Sequence, residues 1–118
     1  MSRKFRVDVR REKDVEAAGD RFMASLGFES WHLSQARPTQ QTPGFPDRLY
    51  MNTARNCAVW WEAKTEVGRA SVHQVRFRLQ WEGCGGLYLI GTDEVLHQFA
   101  IDRGWAERVG PGNMRIFR

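Results

Sequence analysis

The sequence predicts an α/β domain, a β-sheet with helices packed on it. Three observations carry that expectation. Apolar residues recur at three- and four-residue steps over residues 14–26, the spacing of one helix face. Two apolar segments, residues 48–51 and 57–64, flank a short polar turn and suit a pair of antiparallel strands. A second helical stretch then runs into glycines and a nearly continuous apolar segment, Leu87-Tyr88-Leu89-Ile90, suited to a sheet interior.

Each element has its own reason. In residues 14–26, Val15, Ala18, Phe22 and Leu26 form the stripe, Asp14 is the expected N-cap, and Gly27 stands where a helix would end. Residues 28–33 predict a short strand. Residues 34–43 are polar and contain prolines, which predicts a loop able to reach across a substrate. Along residues 57–64, Val59 and Trp61 fall on one face, whereas Trp60, Glu62 and Lys64 fall on the other. Glu62 and Lys64 therefore point the same way, about 6.5–7 Å apart along the strand. Residues 71–82 predict a helix with Ser71 as N-cap and Gly83, Gly85 and Gly86 at its end. Thr92 caps a further helix to about residue 101, and residues 114–117 predict a last strand.

At 118 residues the chain suits one core. We divide it into a basic segment, 1–13, and a single domain, 14–118. No apolar run approaches the ~20 residues of a membrane helix, and the N-terminus lacks the apolar segment of a signal peptide. The expectation is a protein that stays in the cytoplasm of its host cell, with no membrane partner. The formal charge of +4 lies entirely within residues 1–13, and the remainder is balanced. That segment, with Arg10 and Arg11, fits contact with a polyanion; a solvated, frayed terminus is the competing reading. Cys57 and Cys84 belong to no metal-binding spacing and are expected as two buried free thiols.

Arginine occurs fifteen times and lysine three times, and Lys64 is the only lysine beyond residue 13. It stands two residues after Glu62 in a tryptophan-rich strand. Upstream lies Gly44-Phe45-Pro46-Asp47, and downstream Gln74. Phosphodiester hydrolysis must neutralise charge on a phosphate and turn water into a nucleophile, tasks that divalent cations perform. Asp47 and Glu62 on neighbouring strands, with the backbone carbonyl of Ala63, offer the hard oxygen donors that select Mg²⁺ or Mn²⁺. Lys64 would orient the attacking water, lower its pKa, or meet charge growing on phosphorus. Gln74 could hold the water or a phosphate oxygen. Arg69, His73, Arg76 and Arg78 form a basic group on or before the second helix, suited to phosphate contacts that position DNA without reading its sequence. Against this stands a plainer possibility, that Glu62 and Lys64 are an ion pair on an exposed edge strand and Asp47 merely starts a turn.

The ordered set resembles the PD-(D/E)XK nuclease superfamily, and within it the VRR-NUC (virus-type replication-repair nuclease) domains. In that family a helix bearing a glutamate precedes a G-x-P-D motif, an E-x-K strand, a helix with a glutamine, and an apolar strand after glycines. The matching positions are Glu16, Gly44-Phe45-Pro46-Asp47, Glu62-Ala63-Lys64, Gln74 and residues 86–90. The resemblance covers roughly residues 14–101. It implies a restriction-endonuclease-like mixed sheet flanked by helices, with Asp47, Glu62, Lys64, Gln74 and Glu16 catalytic. It also implies a Mg²⁺ or Mn²⁺ ion held by Asp47, Glu62, Glu16 and the Ala63 carbonyl. The implied activity is a structure-selective endonuclease acting on Holliday junctions or other branched DNA as a homodimer. The alternatives are a non-catalytic nucleic-acid-binding module with a nuclease-like fold, and a flap-cleaving, RNA-cleaving or restriction-type nuclease.

Overall fold

The computed structural model describes residues 9–32 and 48–117. Its elements are α1 (Glu12–Ser25), β1 (Glu29–His32), β2 (Arg48–Asn52), β3 (Cys57–Ala63), α2 (Val72–Gly83), β4 (Leu87–Gly91), α3 (Asp93–Asp102), β5 (Ala106–Gly110) and β6 (Asn113–Ile116). The loop expected over residues 34–43 and the Gly44-Phe45-Pro46-Asp47 motif lie outside the described residues.

Four strands form a mixed sheet in the order β1-β2-β3-β4. The β1–β2 and β2–β3 pairs are antiparallel, with Arg48 opposite Trp61, and β3–β4 is parallel, with Glu62 opposite Ile90. A parallel pair needs a crossover, and α2 supplies it. β3 is thus an interior strand covered on both sides. Val59, Trp61 and Ala63 join the core shared with α1 and α3. Trp60 meets Trp81 of α2 edge-on at 6.1 Å, and Phe77 of α2 lies 5.7 Å from Tyr88 of β4. Trp61 is fully buried and stacks on Tyr50 at 6.1 Å. Its indole lies against Gly19 of α1, where an added Cβ would come within 2.3 Å of the ring.

Local chemistry explains the boundaries. α1 begins at Glu12, two residues before the expected start, because the Arg11 carbonyl accepts the first helical bonds from Asp14 and Val15. Arg11 makes no side-chain cap, so Asp14 lies in the first turn, where with Glu12 it complements the helix dipole. Gly27 follows α1 at φ +91°, as the sequence suggested. β1 starts at Glu29, one residue later than expected, because Phe28 turns into the core and contacts Trp105 at 5.8 Å, and residue 33 lies outside the described residues. Ser71 and Thr92 cap α2 and α3 as expected. Where one last strand was expected, β5 and β6 form a hairpin, with Gly112 at φ +71° in its turn. Cys57 is buried as expected, but Cys84 is exposed, since it follows α2, a helix without a single fully buried residue. No described helix is long and apolar enough to cross a membrane.

Gly19→Ala would gain helix propensity of about 1 kcal/mol, yet it drives a methyl group into Trp61. We expect a net loss of about 1–3 kcal/mol, typical of overpacking, measured as a lower urea midpoint with unchanged slope. A midpoint at or above wild type would refute this packing.

Candidate active site at the end of the central strand

Glu62, Lys64 and Gln74 come together where β3 ends and α2 begins. Strand alternation turns Glu62 toward α2, while its neighbours Trp61 and Ala63 enter the opposite core. The Glu62 side chain is only 5% exposed, and Lys64 is 19% exposed. The edge-strand reading of this pair therefore fails: β3 has neighbours on both sides, and the glutamate is buried.

Gln74 is the third residue of α2 and closes a capping box with Ser71. The Gln74 backbone N–H donates to Ser71 Oγ at 3.1 Å, and the Ser71 N–H donates to Gln74 Oε1 at 2.8 Å. The amide oxygen is thus engaged, which leaves the NH₂ group facing the sheet. Gln74 Nε2 donates to Glu62 Oε1 at 2.5 Å. Lys64 Nζ lies 3.6 Å from the same oxygen, and the Lys64 backbone N–H donates to the Gly91 carbonyl at 2.9 Å. The Trp61 indole N–H donates to that carbonyl too, at 3.1 Å, so one β4 residue fixes strand positions on either side of Glu62. The S-x-x-Q capping signature was legible in the sequence; that its glutamine would also bind Glu62 was not.

Glu16 joins a different group. Its Oε2 lies 3.2 Å from the guanidinium of Arg48, which also donates from Nε to Asp20 Oδ1 at 3.1 Å. The Tyr50 hydroxyl donates to the same Asp20 oxygen at 2.6 Å, and His32 Nε2 lies 3.6 Å from Asp20 Oδ2. Burial works against the Arg48 charge, but the carboxylates of Asp20 and Glu16 prevail and hold it above its ordinary pKa. Burial, reinforced by Asp20, pushes the Tyr50 hydroxyl far above the usual phenolic range. Sequence reasoning missed Asp20, Arg48 and Tyr50. The available signal was spacing: Glu16 and Asp20 are four apart on a helix, and Arg48 and Tyr50 are two apart on a strand.

The basic residues divide. Arg11, Arg69, His73, Arg76 and Arg78 are all exposed, and Arg78 makes a surface pair with Glu82 at 3.1 Å. Arg76 shares a shallow, mostly apolar groove with Ala70, Val72, Val75, Leu79 and Gln80. Arg10 is held by two carboxylates of the fold. Its backbone N–H donates to Glu66 Oε1 at 2.8 Å, and its Nε donates to Oε2 at 3.1 Å. A terminal guanidinium nitrogen bridges Glu66 Oε2 at 2.8 Å and Asp93 Oδ1 at 2.6 Å. The Arg10 side chain stays 37% exposed while it makes these bonds.

A hard cation takes carboxylate and carbonyl oxygens, and of the residues expected to hold one, Glu62 and Ala63 lie at the end of β3. Among the described residues no three His, Cys, Asp or Glu side chains gather as a metal-holding group. Asp47 lies outside those residues; its neighbour Arg48 opens β2 opposite Trp61. No family model, curated protein or solved structure matches the chain.

Gln74→Ala removes the bond from the Ser71 N–H while the Ser71 cap itself stays, and it strips a buried carboxylate of its amide donor, a loss of about 1–3 kcal/mol. Chemical denaturation should register the combined loss, and a loss below about 0.5 kcal/mol would contradict the dual role. A pH effect follows from Glu66, whose carboxyl the hydrogen bonds from Arg10 hold below the ordinary value of 4.5. That pair's stabilisation is complete above pH 4.5 and disappears as pH falls through the lower, folded-state pKa. Glu66→Gln should therefore flatten the acid limb of the stability profile, and an unaltered limb would exclude this contribution.

Proposed function

We propose that the chain is a metal-dependent endonuclease whose site is built on Asp47, Glu62, Lys64 and Gln74. One observation carries the reading. The glutamate, lysine and glutamine singled out by residue type and order converge on a single buried carboxylate oxygen, with contacts of 3.6 Å from Lys64 and 2.5 Å from Gln74. A buried carboxylate is costly unless partnered, and an ordinary salt bridge would be cheaper at the surface. The order of elements further supports it: a helix with Glu16, the strand with Glu62-Ala63-Lys64, the helix with Gln74 and an apolar parallel strand follow the succession expected of a PD-(D/E)XK nuclease.

In this reading Asp47, Glu62 and the Ala63 carbonyl would hold a Mg²⁺ or Mn²⁺ ion. When bound, the ion would supply positive charge at the phosphate and acidify a water molecule. The protein's own residues do the rest. Gln74 fixes the Glu62 carboxylate, so that its oxygens are preorganised. Lys64 presents its ammonium beside that carboxylate, where it orients the attacking water or meets charge developing on phosphorus. Arg11, Arg69, Arg76 and Arg78 are exposed cations that would meet the DNA backbone, and His73 is exposed on the same helix as Arg76 and Arg78. Glu16 pairs with Arg48 and so bears on the start of β2. The VRR-NUC resemblance extends the reading to branched DNA and to a homodimer, one site for each of two opposed strands.

The test is cleavage of labelled four-way junction, flap and linear duplex with Mg²⁺, Mn²⁺ or EDTA. Lys64→Ala should slow cleavage about 10²–10³-fold, the scale of losing one charge-stabilising donor. Asp47→Asn and Glu62→Gln should fall at least as far, all three remaining folded by circular dichroism. Cleavage that survives thorough chelation would remove the metal mechanism, and binding without any cleavage would favour a non-catalytic module.

A further inference from the structure

Arg10 ties together the two segments that leave the parallel strands beside the candidate site. On one side it holds Glu66, two residues beyond Lys64, through both carboxylate oxygens. On the other it holds Asp93, which opens α3 two residues after Gly91, the residue that receives the Lys64 N–H. Asp93 is 7% exposed, so its carboxylate depends on this cation, with His97 Nε2 farther away at 4.0 Å.

The link to Lys64 is steric. Residues 65–68 form a turn closed by the Gly68 N–H donating to the Thr65 carbonyl at 3.0 Å. That turn folds back on the lysine: a Cβ on Gly68 would lie 3.2 Å from Lys64 Cβ and 3.1 Å from the Thr65 nitrogen. Glu66 sits within the turn, so the grip of Arg10 on Glu66 fixes the wall against which the Lys64 stem rests. Arg10, engaged by two carboxylates, bears on the geometry of its neighbours.

We infer that Arg10 is a positioning residue, which acts through Glu66 and the 65–68 turn to keep the Lys64 ammonium beside Glu62. The assignment rests on the proposed nuclease reading for its catalytic consequence, though not for its structural one. Small displacements of a reacting group cost on the order of 10²-fold in rate, so release of the turn should slow the chemical step while leaving DNA affinity alone.

The chain has only three lysines, Lys4, Lys13 and Lys64, so selective ¹³C-lysine labelling gives three side-chain signals. Lys64→Ala identifies the relevant one. In Arg10→Gln and in Glu66→Gln, the milder variant that leaves the Arg10–Asp93 bridge, the Lys64 Cε signal should move toward that of a free lysine. Single-turnover cleavage should fall about 10–100-fold, with the Kd for junction DNA in Ca²⁺ within about twofold of wild type and its salt slope unchanged. A Lys64 signal and cleavage rate both unmoved in folded Glu66→Gln would reduce the clamp to a structural staple. A raised Kd with a shallower salt slope in Arg10→Gln, and an unmoved Lys64 signal, would make Arg10 a DNA contact instead. If wild type cleaves nothing, the nuclease reading fails, and the Lys64 signal alone still decides whether Arg10 sets its position.

Discussion

The burial of Trp61 is the constraint on which the arrangement depends. Its indole fills the space left by Gly19 on α1, stacks on Tyr50 and donates to the Gly91 carbonyl, so it joins α1, β2, β3 and β4 at one residue. Strand side chains alternate, and a one-residue slip exchanges the two faces. With Trp61 committed to the α1 side, Glu62 must face α2 and Trp60 must lie under Trp81. A slip would bring the Glu62 carboxylate into the main core and take the Trp61 indole out of it. Register is thereby fixed by energy, and the direction of Glu62 follows from it.

Placing a carboxylate there costs several kcal/mol of desolvation before partners are counted. The partners are local and rigid: Gln74 on the first turn of a capped helix, and Lys64 at the end of a strand anchored by Gly91. Sites held by helix and strand ends keep their geometry better than sites on loops. The opposite face of the sheet carries a second polar group, Glu16, Asp20, Arg48 and Tyr50, which locks α1 to β2. Cross-strand register joins the two groups, since Arg48 lies directly opposite Trp61. A buried ion pair on one face thus supports the position of the strand that bears Glu62 on the other.

Much of the fold was legible because the informative residues act locally. Gly27, Ser71 and Thr92 mark helix ends through their own backbone preferences, and alternation along β3 sorts Trp61 from Glu62 without reference to the rest of the chain. The pairing of Lys64 with Glu62 followed from the same two-residue period. What escaped was decided by distant partners. Arg10 reads as part of a basic leader until Glu66 and Asp93, 56 and 83 residues away, are brought to it. Glu16 reads as one acid among several at a helix start until Arg48 arrives from β2. Gln74 was legible as a helix-start residue, whereas its bond to Glu62 depends on how α2 crosses the sheet. The α1 start carries no signature of a capping side chain, because Arg11 begins the helix with its backbone alone.

The central claim is that the buried glutamate with its lysine and glutamine forms a site for a divalent cation and a phosphodiester. Paramagnetic broadening by Mn²⁺ tests it most directly, read on the Gln74 side-chain amide and the Lys64 Cε signal in the wild type and in Glu62→Gln. The account predicts selective broadening of both signals in the wild type at substoichiometric Mn²⁺, and its loss in the variant. Equal broadening in the two proteins, or none in either, would contradict it.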